Sequence, residues 1–225
     1  VNAPITLIEV LLLVLCYLIG SIPPAVWISK FIYGKDIRTQ GSGNAGSTNM
    51  YRIYGRGAGI ATQVIDLAKG SLAAALPLIY AFLVEDAADY HRPWLTMELQ
   101  CLLCGFVAVL GHVWPIFAGF KGGKGVNTLL GMMLVVNWQS ALICLGVFLL
   151  VFLLTHYVSA GSILGTLAYP LSVVLNSLLH HEELPLPLFV LGLLTFLLVT
   201  YTHRTNIKRL MGGSESKMYL LKGKK

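Results

Sequence analysis

The stretch Val126–Thr155, VNTLLGMMLVVNWQSALICLGVFLLVFLLT, decides how this chain threads a membrane. Taken as one unbroken span it joins five other apolar runs: Ile5–Ser29, Ile60–Val84, Leu99–Gly119, Ser162–Leu179 and Leu186–Tyr201. Crossing about 30 Å of hydrocarbon takes about 20 apolar residues. Six spans put both termini on one side, and the basic residues disagree with that. They cluster in Lys30–Lys69, Lys121–Lys124 and Arg204–Lys225. Six spans send the first and last clusters to opposite compartments, against the cytoplasmic bias of Lys and Arg. Breaking the stretch at Asn137-Trp138 gives seven segments and places 15 of the 16 Lys and Arg on one face, with Arg92 the exception. Asn137 is polar and Trp138 is of the type found at membrane interfaces. The first half, Val126–Val136, is then only about 16 Å long. It needs a non-helical approach, which is tolerated where backbone lines a cavity. The expected fold is an all-α polytopic membrane bundle of seven transmembrane segments, N-terminus outside and C-terminus cytoplasmic, forming a single domain over 1–225.

Composition agrees. Of 225 residues 56% are hydrophobic and 12% charged, where a soluble domain carries about a quarter charged. A disordered chain, a collagen and a disulfide scaffold are excluded. The surplus of 16 Lys+Arg over 10 Asp+Glu is unevenly placed. The loop Glu85–Glu98 holds Glu85, Asp86, Asp89 and Glu98 against Arg92 alone, and the turn His180–Pro187 holds Glu182 and Glu183 without Lys or Arg. Cys16, Cys101, Cys104 and Cys144 all lie in apolar runs; Leu102 and Leu103 fill the CxxC, so packing is expected rather than redox or metal chemistry. The opening apolar run lacks a basic n-region and a small-residue cleavage site, and reads as a retained span.

Three stretches break the apolar pattern with glycine and hydrogen-bonding groups, all on the basic face. The first is Gly41-Ser42-Gly43-Asn44-Ala45-Gly46-Ser47-Thr48-Asn49, then Arg52 and Arg56. Its glycines permit close backbone approach, and Thr48 to Arg52 reads as a helix whose first N–H groups can meet an anion. A polar loop capping the next helix fits it equally well. The second runs from Gly111-His112-Val113-Trp114-Pro115 to Gly119-Phe120-Lys121-Gly122-Gly123-Lys124-Gly125-Val126-Asn127-Thr128. Lysines set among glycines at a helix start suit a phosphate cradle. It is not the nucleotide P-loop, since Lys124 is followed by Gly125. An orientation signal needs lysine but no glycine, which favours the phosphate reading. The third is His203-Arg204-Thr205-Asn206-Ile207-Lys208-Arg209-Leu210, then Gly212, Gly213, Glu215 and Lys217, with His203 and Asn206 on one helix face.

Weaker features are the i, i+3 pair Asp66 and Lys69, and Ser159 and Ser162 opening a segment where a hydroxyl cap is the plain reading. His112 is either catalytic or part of an interface turn. His91, His180 and His181 are expected outside, and no pair has metal-ligand spacing. Aromatics are not interleaved with the basic loops, which argues against nucleic acid.

These loops resemble the three motifs of the bacterial acyl-phosphate:glycerol-3-phosphate acyltransferases, integral membrane enzymes of phospholipid synthesis. Gly41–Asn49 with Arg52 matches the first motif, Gly111–Thr128 the second and His203–Lys217 the third; Ser21-Ile22-Pro23, Asp66–Gly70 and Tyr157–Ile163 also fit. The resemblance covers about Gly20 to Lys217 and implies seven membrane helices with the motifs cytoplasmic. Ser47 and Asn127 stand where the family usually has Ala, and His156 where Arg is common.

The resemblance implies transfer of a fatty acyl group from acyl phosphate to the 1-hydroxyl of glycerol 3-phosphate, giving lysophosphatidic acid and inorganic phosphate. It implies Ser42, Lys124 and His203 as catalytic. Gly122, Gly123, Gly125 and Val126, with Lys124 and Ser42, are expected on the acyl phosphate. Arg52, Asn49, His203, Asn206 and Ser162 are expected chiefly on glycerol 3-phosphate, with Asn44 and Thr48 also substrate-binding. Membrane lipid is the other expected partner. No metal, cofactor or nucleic acid is expected, a monomer is compatible with all of this, and the place is the bacterial cytoplasmic (inner) membrane with the site on the cytoplasmic face. The rival is an organic-phosphate transporter or channel with a basic cytoplasmic vestibule. It needs polar groups at mid-bilayer, where these spans are nearly free of charge.

Overall fold

The computed structural model describes residues 7–84 and 95–219. His91, Arg92 and most of the acidic loop lie outside them, as does the end of the basic tail.

The described chain is helical. In order it forms α1 (Leu7–Gly20), α2 (Pro24–Tyr33), α3 (Ser47–Tyr54), α4 (Arg56–Leu83), α5 (Met97–Val113), α6 (Val126–Val136), α7 (Trp138–Thr155), α8 (Val158–His180), α9 (Leu186–Thr202) and α10 (Arg204–Met211). Five stretches are long and apolar enough to cross a membrane: Leu7–Tyr33, Arg56–Leu83, Met97–Ala118, Trp138–Thr155 and Val158–His180. A sixth results if α9 and α10, bent by 63° at their junction, count as one span. The protein is a multi-pass membrane protein.

The break expected at Asn137 is present. Asn137 leaves the helical region (φ −152°, ψ 83°) while its N–H still closes α6 onto Met133 O. The chain divides into two compact units at this point, the first ending at Asn137 and the second beginning at Trp138.

In lipid, helices gain little from burying apolar surface against each other, so small residues that let backbones approach set the packing. In the first unit, a Cβ on Gly20 would lie 2.1 Å from Ala108 O, which fixes α1 against α5. Gly70 meets Thr128 O and Gly131 meets Leu67 O in the same way, locking α4 to α6. Ser71 Oγ adds a hydrogen bond to Gly131 O (2.9 Å). In the second unit, Gly161 and Gly165 seat α8 against Phe148 and Cys144 of α7, and Gly192 of α9 packs on Tyr169 of α8. All four cysteines are buried and none is in a disulfide.

Several boundaries differ from the sequence expectation. The helix α4 starts at Arg56 rather than Ile60, and Lys69, counted above with the basic cluster Lys30–Lys69, lies within it, 4% exposed. The helix α8 starts at Val158, one turn before Ser162, because His156 (φ 61°) and extended Tyr157 end the preceding backbone path. Ser159 and Ser162 therefore lie inside the helix and cap nothing.

Candidate active site

In the first unit, the loop between α2 and α3 is organised by Asn49. Its Nδ2 donates to Ile37 O, Gln40 O and Asn44 O (3.3, 3.0 and 3.1 Å), and its Oδ1 accepts from Ser42 N (3.1 Å). Asn49 is 2% exposed. Both polar atoms of the Asn49 side chain hold the loop. The loop presents Ser42 and Asn44 at its accessible surface, and half-buried Thr48 and exposed Arg52 follow on α3.

The second loop folds back on the end of α5. Gly122 N donates to Val113 O and Gly123 N to His112 O (both 3.2 Å). Gly122 and Gly123 are held so close that a Cβ would fall 2.0 Å from His112 O and 2.1 Å from His112 Nε2 respectively. Gly125 then starts α6 in the left-handed region (φ 86°), where residues with a side chain are strained, and no side chain caps this helix end. A helix N-terminus reached by a glycine loop that carries a lysine, half-buried Lys124, is suited to phosphate.

Two contacts join these loops. Arg38 lies in a short 3₁₀ turn (Ile37–Thr39) opened by Asp36, which accepts the Arg38 N–H at 3.0 Å. The Asp36 carboxylate also grips the Arg38 guanidinium (Nε–Oδ1 3.0 Å, Nη2–Oδ2 2.7 Å), and Arg38 Nη1 donates to Ala118 O at 2.6 Å in the second loop. The guanidinium holds the Asp36 carboxyl well below the usual carboxylate range, while partial burial opposes this. The second contact is Asn127 Nδ2 to Ser47 Oγ (3.0 Å), joining the first turn of α6 to the first residue of α3. These are two of the three positions noted above as departing from the family pattern, and they are partners.

Behind the second loop, buried Asp66 Oδ1 accepts from Lys69 Nζ (2.8 Å) and His112 Nδ1 (3.1 Å). The expected Asp66–Lys69 pair thus forms, with His112 as a third member.

In the second unit, His203 ends α9 and caps α10, 2% exposed. Its Nδ1 lies 2.8 Å from Val199 O; a carbonyl only accepts, so Nδ1 carries the proton. Glu215, 9% exposed, accepts from Asn206 Nδ2 (2.6 Å) and Ser159 Oγ (2.8 Å) through one oxygen. The tail then runs back to the α7–α8 junction, where Met218 N donates to His156 O (2.9 Å). Ser162 Oγ donates its only hydrogen to Val158 O (2.9 Å).

Arg38, Glu215 and the His112 member of the buried network were not read as partners from sequence. The spacing of Asp36 and Arg38 was the one available hint.

The family model for glycerol-3-phosphate acyltransferase matches residues 10–213. The chain belongs to the glycerol-3-phosphate acyltransferase family. A relative of that name in Chlorobaculum parvum is 40% identical over 223 residues, covering 92% of this chain and 95% of the relative. One in Chlorobaculum tepidum is 39% identical with the same coverage. Among solved structures, a crystal structure of PlsY, an integral membrane glycerol 3-phosphate acyltransferase in its glycerol 3-phosphate form, is 32% identical with a TM-score of 0.79. It covers 94% of this chain and 96% of that one. The lysophosphatidic acid form of PlsY gives 31% and 0.76. This acyltransferase is therefore an enzyme, and the reading of its three loops reached the family that the comparisons give.

Proposed function

We propose that the acyl donor is a fatty acyl phosphate and that the acceptor is the 1-hydroxyl of glycerol 3-phosphate. The hydroxyl oxygen attacks the acyl carbonyl carbon, the bond from that carbon to the phosphate oxygen breaks, and 1-acyl-glycerol 3-phosphate and inorganic phosphate leave. The observation that carries this reading is the second loop: Gly122–Lys124 leading into the glycine-started α6. Such a loop suits a phosphate, and the leaving group of an acyl phosphate is a phosphate, whereas a thioester releases a thiol. Lys124 offsets the charge that develops on the leaving phosphate, an electrostatic contribution of about 3 kcal/mol in comparable sites. Gly123, Gly125 and Val126 supply backbone, and Ser42 supplies a hydroxyl to the same group.

The family resemblance assigns Arg52, Asn49, Thr48 and Asn44, and also His203, Asn206 and Ser162, to glycerol 3-phosphate. The hydroxyl proton passes to a phosphoryl oxygen of the donor, while the protein holds the pair in place. Two features support positioning over histidine base catalysis. The Nδ1–H of His203 is engaged by a backbone carbonyl, not a carboxylate, and Glu215 is engaged by Asn206 and Ser159. His203→Ala with turnover intact and weaker acceptor binding supports this; abolished turnover with unchanged binding supports the base.

The chain works as one enzyme over its full length. It has seven membrane segments, the short α6 being completed by the Gly119–Gly125 approach, with the N-terminus outside and the three loops on the cytoplasmic face of a bacterial inner membrane. The test is phosphate release by the purified protein in detergent. Release from acyl phosphate that requires glycerol 3-phosphate supports the proposal. Ester formation from acyl thioesters alone contradicts the donor, and no acyl transfer from any donor returns the transporter reading.

A further inference from the structure

The buried network behind the second loop has no part in the reaction just described. Asp66 is 1% exposed, Lys69 4% and His112 6%. Lys69 Nζ also donates to Ile22 O (2.7 Å), in the break between α1 and α2. The group therefore ties three places together: the α1–α2 break, the middle of α4 and the end of α5. Its fourth connection is to the glycine loop. Because a carboxylate only accepts, the proton between His112 and Asp66 sits on Nδ1, and the opposite edge of the ring, Nε2, lies where a Cβ of Gly123 would be. The backbone of the same histidine receives the Gly123 N–H. Gly123 is thus gripped through both the carbonyl and the ring of His112, and Lys124 is the next residue.

We propose that His112 is the positioning residue of the phosphate loop: Asp66, held in turn by Lys69, fixes the imidazole so that its ring sets the path of Gly123 and the reach of Lys124. This rests on the assignment of that loop to the acyl phosphate. A network that only held the helices together would need no ring edge against the loop. The contact also accounts for the glycine at 123, whose backbone is not left-handed and which is required for space alone.

The experiment is a double-mutant cycle with steady-state kinetics on the purified full chain. His112→Ala leaves the Asp66–Lys69 pair intact, so no lone charge is buried. The expected result is a KM for acyl phosphate raised about tenfold, with the KM for glycerol 3-phosphate within threefold of wild type. Gly123→Ala alone is expected to lower kcat/KM for acyl phosphate about a hundredfold, because its methyl group collides with the ring. In the His112→Ala background the ring collision is gone and only the tight approach to Ala45 O, 3.2 Å from that Cβ, remains, so Gly123→Ala is expected to add less than a threefold loss. Losses that multiply to about a thousandfold overturn the proposal, as do unchanged KM values in His112→Ala accompanied only by a lower thermal midpoint. A KM shift that falls on glycerol 3-phosphate, with the losses still failing to multiply, upholds the positioning role and refutes the donor assignment of the loop. If His112→Ala does not fold, His112→Asn keeps an N–H for Asp66 without the ring edge and carries the same expectations.

Discussion

Replacing Arg38 with alanine should loosen the second loop without touching a substrate group. In the structure the guanidinium spans two loops, paired to Asp36 on one side and donating to Ala118 O at 2.6 Å on the other. A shielded charge-assisted hydrogen bond contributes about 1.5–3 kcal/mol. Arg38 and Asp36 are 23% and 19% exposed, so water screens the tie and the lower end of that range applies. At about 1.4 kcal/mol per factor of ten, the loss of the docked loop corresponds to about tenfold in kcat/KM for the phosphate-bearing donor. Asp36→Asn keeps the guanidinium and removes its anchor, and should cost less. The pH dependence follows from the lowered carboxyl of Asp36. Its stabilising contribution is complete above the unfolded value near 3.9 and is lost only as pH falls from there towards the folded value. The tie should therefore be constant between pH 5 and 8. The assay is donor kinetics of the purified variant at pH 7, with a thermal midpoint alongside. Wild-type kcat/KM together with a wild-type midpoint would refute the tie.

Asn49→Asp replaces a donor to three carbonyls with an acceptor facing them, a cost of about 1–3 kcal/mol; tryptic cleavage in the Lys35–Arg52 loop should accelerate, and an unchanged rate would show that Asn49 does not hold it. Ser47→Ala and Asn127→Ala should show a coupling of about 0.5–1.5 kcal/mol in a stability cycle, and zero coupling would mean the 3.0 Å contact contributes nothing. Glu215→Ala should raise the KM for glycerol 3-phosphate by releasing Asn206, and Glu215→Gln, which can still accept from it, should recover most of the loss; equal damage by both would assign Glu215 a role through its charge.

The parts legible in the sequence were those written along the chain. The charge distribution located the break at Asn137, and glycine density located the loops before α3 and α6, while the third stretch is largely the helix α10. The parts that escaped join residues far apart in sequence. Asp66 meets His112 across 46 positions and Arg38 meets Ala118 across 80, and no local spacing records such pairs. The loop-holding contacts of Asn49 escaped for a related reason: an amide in a polar loop looks the same whether it faces a ligand or three backbone carbonyls. The start of α8 was missed because no capping side chain marks it; the turn is made by the backbone of His156 and Tyr157.

The central claim is that the glycine loop before α6 holds the departing phosphate through Lys124. Single-turnover acyl transfer by Lys124→Ala at saturating acyl phosphate tests it most directly. A fall of about a hundredfold or more in the rate, in a protein that keeps its thermal midpoint, is the result predicted by removal of about 3 kcal/mol of transition-state stabilisation. A rate within threefold of wild type would contradict it.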